Sequence, residues 1–459
     1  MERLAKIESN YFPFLPFPEE ENRRYLMIRN IFIEEPSLPV YETLRKYDVS
    51  ISEIIKYYRL MQVDENLQLI TNSIFYPRRI MFQVGRRMVT DFNSDREYIE
   101  RLLSGKPVSS RIVEIHATKG TCNYNCVMCL WSDKNKHTYR TKNMEGSGLM
   151  SLDDWKKILT EIKNLGARTV VFSGGGEPLL NRDFFPLIEF AHNIGFATQL
   201  YTNGFYLRGL TEYEWDQILA MERIRFSIHS PFEKQYSQII GVPSSIGALT
   251  RVRENLQDLI MKRNNKKSKT AIGIGFVIQA INFNQIIEMA DFAKQAEVDF
   301  LDLRSDEVKI SGSLNAEQQK EVYRQLNIVR RRIIFGVYNP LIVDLSDNLT
   351  AFANGEDYNI RQVESCMSKY YRPVISPFGG WFPCDLKAEP MFYNPDYTIG
   401  NLHQESVKDI LRNVHERFIP AHCQSCMPSG QTGNAIFTKI ISDYQLGIDF
   451  RDMPFFIQT

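Results

Sequence analysis

The rhythm of apolar and polar positions changes near residue 111. Ahead of it, SISEIIKYYRLMQ spaces its apolar residues as a helix does, and a polar stretch separates it from FYPRRIMFQVGRRMV. Residues 1–108 therefore read as a helical N-terminal extension, most simply a cap packed on the next domain. From Arg111 onward, short β-branched runs alternate with amphipathic helices. RIVEIHAT alternates as a strand, LDDWKKILTEIKNLG is an amphipathic helix stopped at Gly166, and RTVVFSGG is a second strand. DFFPLIEFAHNIG is a second helix with a Gly stop, and ATQLYTNG, RIRFSIHS, TAIGIGFVIQ and DFLDLR supply the remaining strands.

Strands joined by connections long enough for crossovers imply a parallel sheet. The six βα units fall short of a closed eight-stranded barrel, so the expected class is α/β, an open partial (β/α)6 TIM-like barrel over 109–335. The helical LNAEQQKEVYRQLNIVRRRI closes it near residue 334. Residues 336–459 differ: RPVISPFGGWFPC predicts a hairpin turning at Gly379-Gly380, and SVKDILRNVHERF a helix leading into CQSC. The sequence shows no fixed-period repeat and no low-complexity tract.

Composition narrows the function classes. With 43% hydrophobic residues, 24% charged residues and zero formal net charge, the 459-residue chain reads as globular, with no global pull toward nucleic acid or anionic membrane. The N-terminus MERLAKIESNYFPFLPF lacks the apolar run of a signal peptide, and no apolar stretch is long enough for a span. The expectation is a cytoplasmic protein. Its seven cysteines all lie after residue 120, three of them clustered as Cys122, Cys126 and Cys129. An odd number in a chain this long argues against a disulfide scaffold, and three plus four suggests two metal sites, one short of a protein ligand.

GTCNYNCVMCLW sets Cys122, Cys126 and Cys129 in a C-x3-C-x2-C arrangement just after the first strand. Three thiolates on one loop can hold three irons of a cubane cluster and leave the fourth iron open. Three cysteines with a histidine can also make zinc, and His137 is near enough in sequence to keep that option. Further motifs fall at strand ends, where parallel βα barrels gather ligand contacts. These are SGGGEP (Ser173 to Pro178), TNG with Asn203, and RFSIHSP with Ser227 and His229.

Together these features resemble the radical S-adenosylmethionine superfamily. The resemblance implies a [4Fe–4S] cluster at Cys122, Cys126 and Cys129 whose open iron binds the amino and carboxylate groups of S-adenosyl-L-methionine. Reductive cleavage then releases a 5′-deoxyadenosyl radical that abstracts substrate hydrogen. It also implies cosubstrate contacts from Gly175, Gly176 and Glu177 of the "GGE" motif, from Asn203 and from Ser227. The position before the third cysteine, often aromatic in the family, is Met128; Tyr124 offers the alternative ring.

Cys366, Cys384, Cys423 and Cys426 resemble the ligands of a twitch domain, the shortened form of the SPASM auxiliary-cluster domain. No cysteine follows Cys426, which implies one auxiliary [4Fe–4S] cluster and not two. A four-cysteine zinc site is the bland alternative. The motifs further resemble radical enzymes of aminoglycoside antibiotic biosynthesis, both diol dehydratases and alcohol dehydrogenases. That implies a small-molecule substrate, an aminoglycoside or amino sugar, and an electron donor such as flavodoxin or ferredoxin, with a partner reductase where reduction completes the reaction. Radical modification of a ribosomal peptide is the other reading, which the helical character of the N-terminal extension disfavours. DLRSDE, at the sixth strand end, offers Asp302, Arg304, Asp306 and Glu307 as acid–base or substrate groups, with His229 beside them; a solvated ion-pair loop is the alternative. Asp385 and Lys387, beside Cys384, border the same region.

Overall fold

In the computed structural model of the protein the described residues are 96–132, 148–306, 308–334, 336–345, 349–353, 366–389, 397–412 and 414–418, with isolated positions at 24, 27 and from 423 to 445. The segment SISEIIKYYRLMQ, His137 and Glu307 lie outside them. Helix α1 (Arg96–Leu103) of the N-terminal extension is described. Its Tyr98 hydroxyl donates to the Tyr370 carbonyl at 2.7 Å, and the Arg111 guanidinium sits 4.6 Å from the Tyr98 ring centre. The helix thereby touches both the start of the barrel and the C-terminal region.

Strands β1 (Ile112–His116), β2 (Thr169–Ser173), β3 (Ala197–Thr202), β4 (Arg223–Ser227), β5 (Ala271–Ile278) and β6 (Phe300–Ser305) pair in chain order, each parallel to the next. Helices α2 (Leu152–Asn164), α3 (Phe184–Asn193), α4 (Glu212–Leu219), α5 (Glu233–Ile240), α6 (Ala248–Lys266) and α7 (Ile286–Gln295) make the crossovers. The start of α2 is written locally: Ser151 and Asp154 form a capping box that satisfies two otherwise free amides. After α8 (Ala316–Ile334) a seventh parallel strand, β7 (Ile342–Leu345), pairs with β6. The sequence pattern stops at six because LIVDL is short and follows a helix that reads as the end of the domain. No helix among the described residues is long and apolar enough to cross a membrane.

Strand alternation divides the barrel into two faces. Val113, Ile115, Val170, Phe172, Ile224, Phe226, Ile272, Ile274, Phe276, Leu301 and Leu303 point out toward the helices and are fully buried there. Burying each is worth roughly 1.5–3 kcal/mol, so this layer holds the scaffold together. Among the alternate, inward-facing positions are many polar ones: Glu114 and His116 on β1, Gln199 and Tyr201 on β3, Arg223 and Arg225 on β4, Asp302 and Arg304 on β6, and Asp344 on β7.

The predicted hairpin is present. Strands β8 (Val374–Ile375) and β9 (Gly380–Phe382) pair antiparallel, with Gly379 at φ +77° where a side chain would crowd His403. Strand β8 also pairs parallel with β1, and β9 pairs antiparallel with β10 (Gly400–Asn401). The C-terminal region thus continues the barrel sheet from its first edge, giving ten strands in one sheet among the described residues.

Candidate active site

The first three cysteines sit on a loop zipped to the glycine-rich turn after β2. Thr121 bridges Gly176, the Glu177 amide donates to the Thr121 carbonyl at 2.9 Å, and the Thr118 hydroxyl donates to the Gly175 carbonyl at 2.6 Å. The far side of the loop is held by α5, whose Ile240 and Ile239 carbonyls accept from the Asn125 and Val127 amides, both at 2.9 Å. Backbone amides of Tyr124 and Trp131 point at Cys122 Sγ and Cys129 Sγ, each at 3.4 Å, and Asn203 Nδ2 lies 3.8 Å from Cys122 Sγ. Amides aimed at sulfur are the donors that stabilise cluster thiolates.

Burial pushes the Cys126 thiol well above its ordinary range, and the neighbouring Cys129 and Cys122 add to it. Burial, with Glu389 and Cys122 adding to it, pushes Cys129 up to about 12. Thiolates form here only against strong positive charge, which iron supplies. The donor set therefore fits a cluster. Among the described residues no three His, Cys, Asp or Glu side chains converge as ligands of one ion; a cubane asks for no such convergence, since each thiolate takes a different iron.

The glycines of SGGGEP are there because nothing larger fits. A Cβ at Gly174 would overlap the His116 imidazole, and one at Gly176 would overlap the Thr121 carbonyl at φ +128°. Gly174→Ala is therefore expected to distort the turn and weaken S-adenosylmethionine binding by about tenfold or more, with iron content retained. Equilibrium binding to reconstituted protein checks this. Glu177 is buried and faces β3: Thr202 Oγ1 and the Asn203 amide donate to its two oxygens at 2.6 and 2.7 Å, and the Leu179 amide at 3.2 Å. Burial outweighs these bonds and raises its carboxyl to about 7. It braces the strand end that carries Asn203. Tyr124 turns into the core, edge-on to Phe205 at 5.8 Å and Tyr236 at 6.3 Å, which leaves half-buried Met128 at the loop rim.

Ser227, on the inner face, is half-buried. His229 is buried; its Nδ1 accepts from the Val277 amide at 3.2 Å, and burial, with Arg225 nearby, lowers it to about 3. It is a neutral brace between β4 and β5. Asp302 accepts from Arg223 Nη2 through both oxygens, at 3.0 and 3.1 Å, and Arg225 Nη1 lies 3.7 Å away. Asp306 accepts from the Ser311 amide at 3.0 Å and from its hydroxyl, closing its own turn.

Several groups here escape sequence reasoning. Glu114 accepts from Ser173 and from Arg372 Nε at 2.8 Å, and lies 3.5 Å from His116 Nε2. Burial alone would raise its carboxyl, but Arg372, then His116 and Ser173, hold it well below the usual range. Glu389 is the opposite case. Burial, with Asp385 and Glu114 adding repulsion, pushes its carboxyl well up. The charges in EIH and RIRF at alternate strand positions were the available signal; nothing in the sequence marks Glu389.

The second cysteine set gathers below β8. Cys366 and Cys423 are buried, and burial raises the Cys366 thiol, with Cys423 adding to it. Cys384 is pushed well up by burial, then by Asp385 and Cys366. Asn434 ties the set together: its Oδ1 accepts from the Met367 and Ser368 amides at 2.7 and 3.1 Å, and its Nδ2 lies 3.8 Å from Cys426 Sγ. Lys387 is buried, 4.4 Å from the Tyr397 ring centre. The crowded thiols again fit a cluster bound by four cysteines.

Comparison with known proteins agrees. Residues 118–299 match the Radical SAM superfamily, and 366–427 match SPASM, an iron–sulfur cluster-binding domain. The chain carries a radical SAM domain and, C-terminal to it, a SPASM-type iron–sulfur cluster-binding domain. Its cofactors are S-adenosylmethionine, a [4Fe–4S] cluster in the radical SAM domain, and an auxiliary iron–sulfur cluster. It is 24% identical over 290 residues to the dTDP-4-amino-4,6-dideoxy-D-glucose ammonia-lyase of Streptomyces venezuelae, covering 61% of this chain and 57% of that one. It is 28% identical over 201 residues to a probable GTP 3′,8-cyclase of Pyrobaculum aerophilum, covering 43% and 53%. The chain thus spans little more than half the length of these curated relatives. In fold it resembles Streptococcus suis SuiB bound to S-adenosylmethionine, with a TM-score of 0.50, 16% identity and coverage of 78% and 80%.

Proposed function

We propose that the protein abstracts hydrogen from a carbinol carbon of an aminoglycoside or related sugar or aminocyclitol, and that the resulting radical loses the neighbouring hydroxyl. The observation that carries this is the inner face of the barrel. Beside the cysteine loop it presents Gln199, Tyr201, Arg223, Arg225, Asp302 and Arg304, donors and acceptors suited to a polyhydroxylated molecule rather than an apolar one. The sugar named in the ammonia-lyase relative points the same way.

Cluster and cosubstrate, when bound, supply the radical that takes the hydrogen. The chain's own residues then handle protons. Losing a hydroxyl needs a base for the carbinol proton and an acid for the departing oxygen, and the product radical needs one electron and a proton to finish. Glu389, whose carboxyl burial pushes well up, lies close to Cys129 and Asp385, which makes it the acid of choice. Glu114, ionised and next to His116, is placed to orient the base. Asp302 and Arg304 position substrate, and Ser227, Gly175 and Gly176 hold cosubstrate. A reducing cytoplasm suits all seven thiols.

The test incubates reconstituted enzyme, S-adenosylmethionine and dithionite with a panel of amino sugars and aminocyclitols. A substrate raises 5′-deoxyadenosine release and yields a product lighter by one water. Loss of two hydrogens instead assigns alcohol dehydrogenation, and loss of ammonia assigns deamination. Release unaffected by every sugar contradicts the proposal.

A further inference from the structure

The inner face gathers four arginines around one tyrosine, with Glu114, Asp302 and Asp344 as the carboxylates beside them. Arg223, Arg225, Arg304 and Arg372 surround Tyr201. Burial alone would raise that phenol, yet the four guanidinium groups hold it below its ordinary range, which reports a net positive field. Asp302 is the carboxylate shared by the β4 arginines, and both its oxygens are taken by Arg223. Arg225 Nη1, at 3.7 Å, is beyond hydrogen-bond reach of it. Arg225 Nε and Nη1 are fully buried with no acceptor, while Arg304 has Asp302 and Asp344 as its nearby carboxylates. Arg225 lies flat between the Tyr201 ring, 3.6 Å from its centre, and Gly275, whose missing Cβ leaves room 3.0 Å from Arg225 Cδ. The sequence thus clears a glycine on β5 to hold a guanidinium against an aromatic face with its donors unused. Buried charged donors without acceptors are costly and persist where a ligand completes them.

We propose that Arg225, with Arg304 beside it, clamps an anionic group of the substrate, a phosphate or a carboxylate, so that within the sugar class proposed above the enzyme takes a member that carries an acidic group. This rests on the sugar reading above only for the part of the ligand beyond the anion. Two of the carboxylates that could pair with ammonium groups are engaged, Asp302 by arginine and Asp306 by its own turn. Guanidinium groups bind phosphate and carboxylate through paired bonds, and two sharing one anion relieve their mutual repulsion.

The test is titration calorimetry of the reconstituted full chain with S-adenosylmethionine bound. The probes are inorganic phosphate, glucose 6-phosphate, glucuronate, glucose and the polycation neamine. The clamp predicts that phosphate binds and that one acidic sugar binds about tenfold or more tighter than glucose. The preferred acid distinguishes phosphate from carboxylate. Arg225→Gln is expected to erase that advantage, and Arg225→Lys, which keeps charge without the fork, to restore part of it. Iron content reports whether each variant folds. Should Arg225→Gln fail to fold, Arg304→Gln and the order of probes on the unaltered enzyme still decide. Neamine or glucose binding as tightly as the acidic sugars overturns the clamp, as does anion binding that survives both substitutions, or no anion binding at all. Phosphate binding that depends on Arg225, with no gain from any sugar, keeps the clamp and overturns the sugar reading.

Discussion

Cys126→Ala is expected to reduce S-adenosylmethionine cleavage below detection and to remove about four irons per chain, leaving the auxiliary cluster in place. The reason is geometric. Cys126 is the middle cysteine of a loop whose ends are fixed elsewhere, by the glycine turn on one side and by α5 on the other. Two thiolates do not retain a cubane at a site where burial already disfavours the charged form. Cys423→Ala should lose a similar amount of iron from the other site and spare cleavage. Iron analysis paired with 5′-deoxyadenosine assay separates the two. Cleavage surviving Cys126→Ala would falsify the assignment of the first cluster.

Glu114→Gln is expected to have the largest effect on stability among changes outside the cysteines, about 3–5 kcal/mol. Glu114 is 5% exposed and pairs with Arg372, which precedes the strand that joins β1. Removing its charge leaves a guanidinium at the seam between barrel and auxiliary domain without its counter-ion. The pH dependence follows from the direction of its shift. A carboxyl held far below its unfolded value contributes fully above that value, near 4.5, and the contribution is lost as pH falls toward the folded one. Thermal unfolding of the variant should therefore lose part of the acid-side sensitivity seen in the parent. If Arg372→Met added to Glu114→Gln restores most of the stability, the loss belongs to the pair.

Much of this architecture is legible in the sequence, for identifiable reasons. β-Branched runs with glycine or capping stops announce β1 to β6 and their helices, because both faces of each helix-covered strand are constrained. Strand β7 stays hidden since its few residues carry no stronger signal than a tail. Three successive glycines at the end of β2 mark a tight turn, and the structure supplies the cause, a His116 ring under Gly174. Cysteine spacing announces the radical SAM domain and the iron–sulfur cluster-binding domain that follows it. Tyr124 misleads because an aromatic beside a ligand suits either core or ring-stacking, and here α5 and Phe205 draw it inward. His229 misleads likewise, its polarity serving the strand pair. What the sequence does not reveal is pairing across long separations. Glu114 with Arg372 and Asn434 with Cys426 depend on β8 docking beside β1, which no local pattern encodes.

The most direct test is iron and sulfide content, with visible and EPR spectra, on anaerobically reconstituted protein given dithionite and S-adenosylmethionine. Two-cluster radical chemistry predicts about eight irons per chain and release of 5′-deoxyadenosine. Two zincs per chain, no reducible cluster and intact S-adenosylmethionine would contradict it.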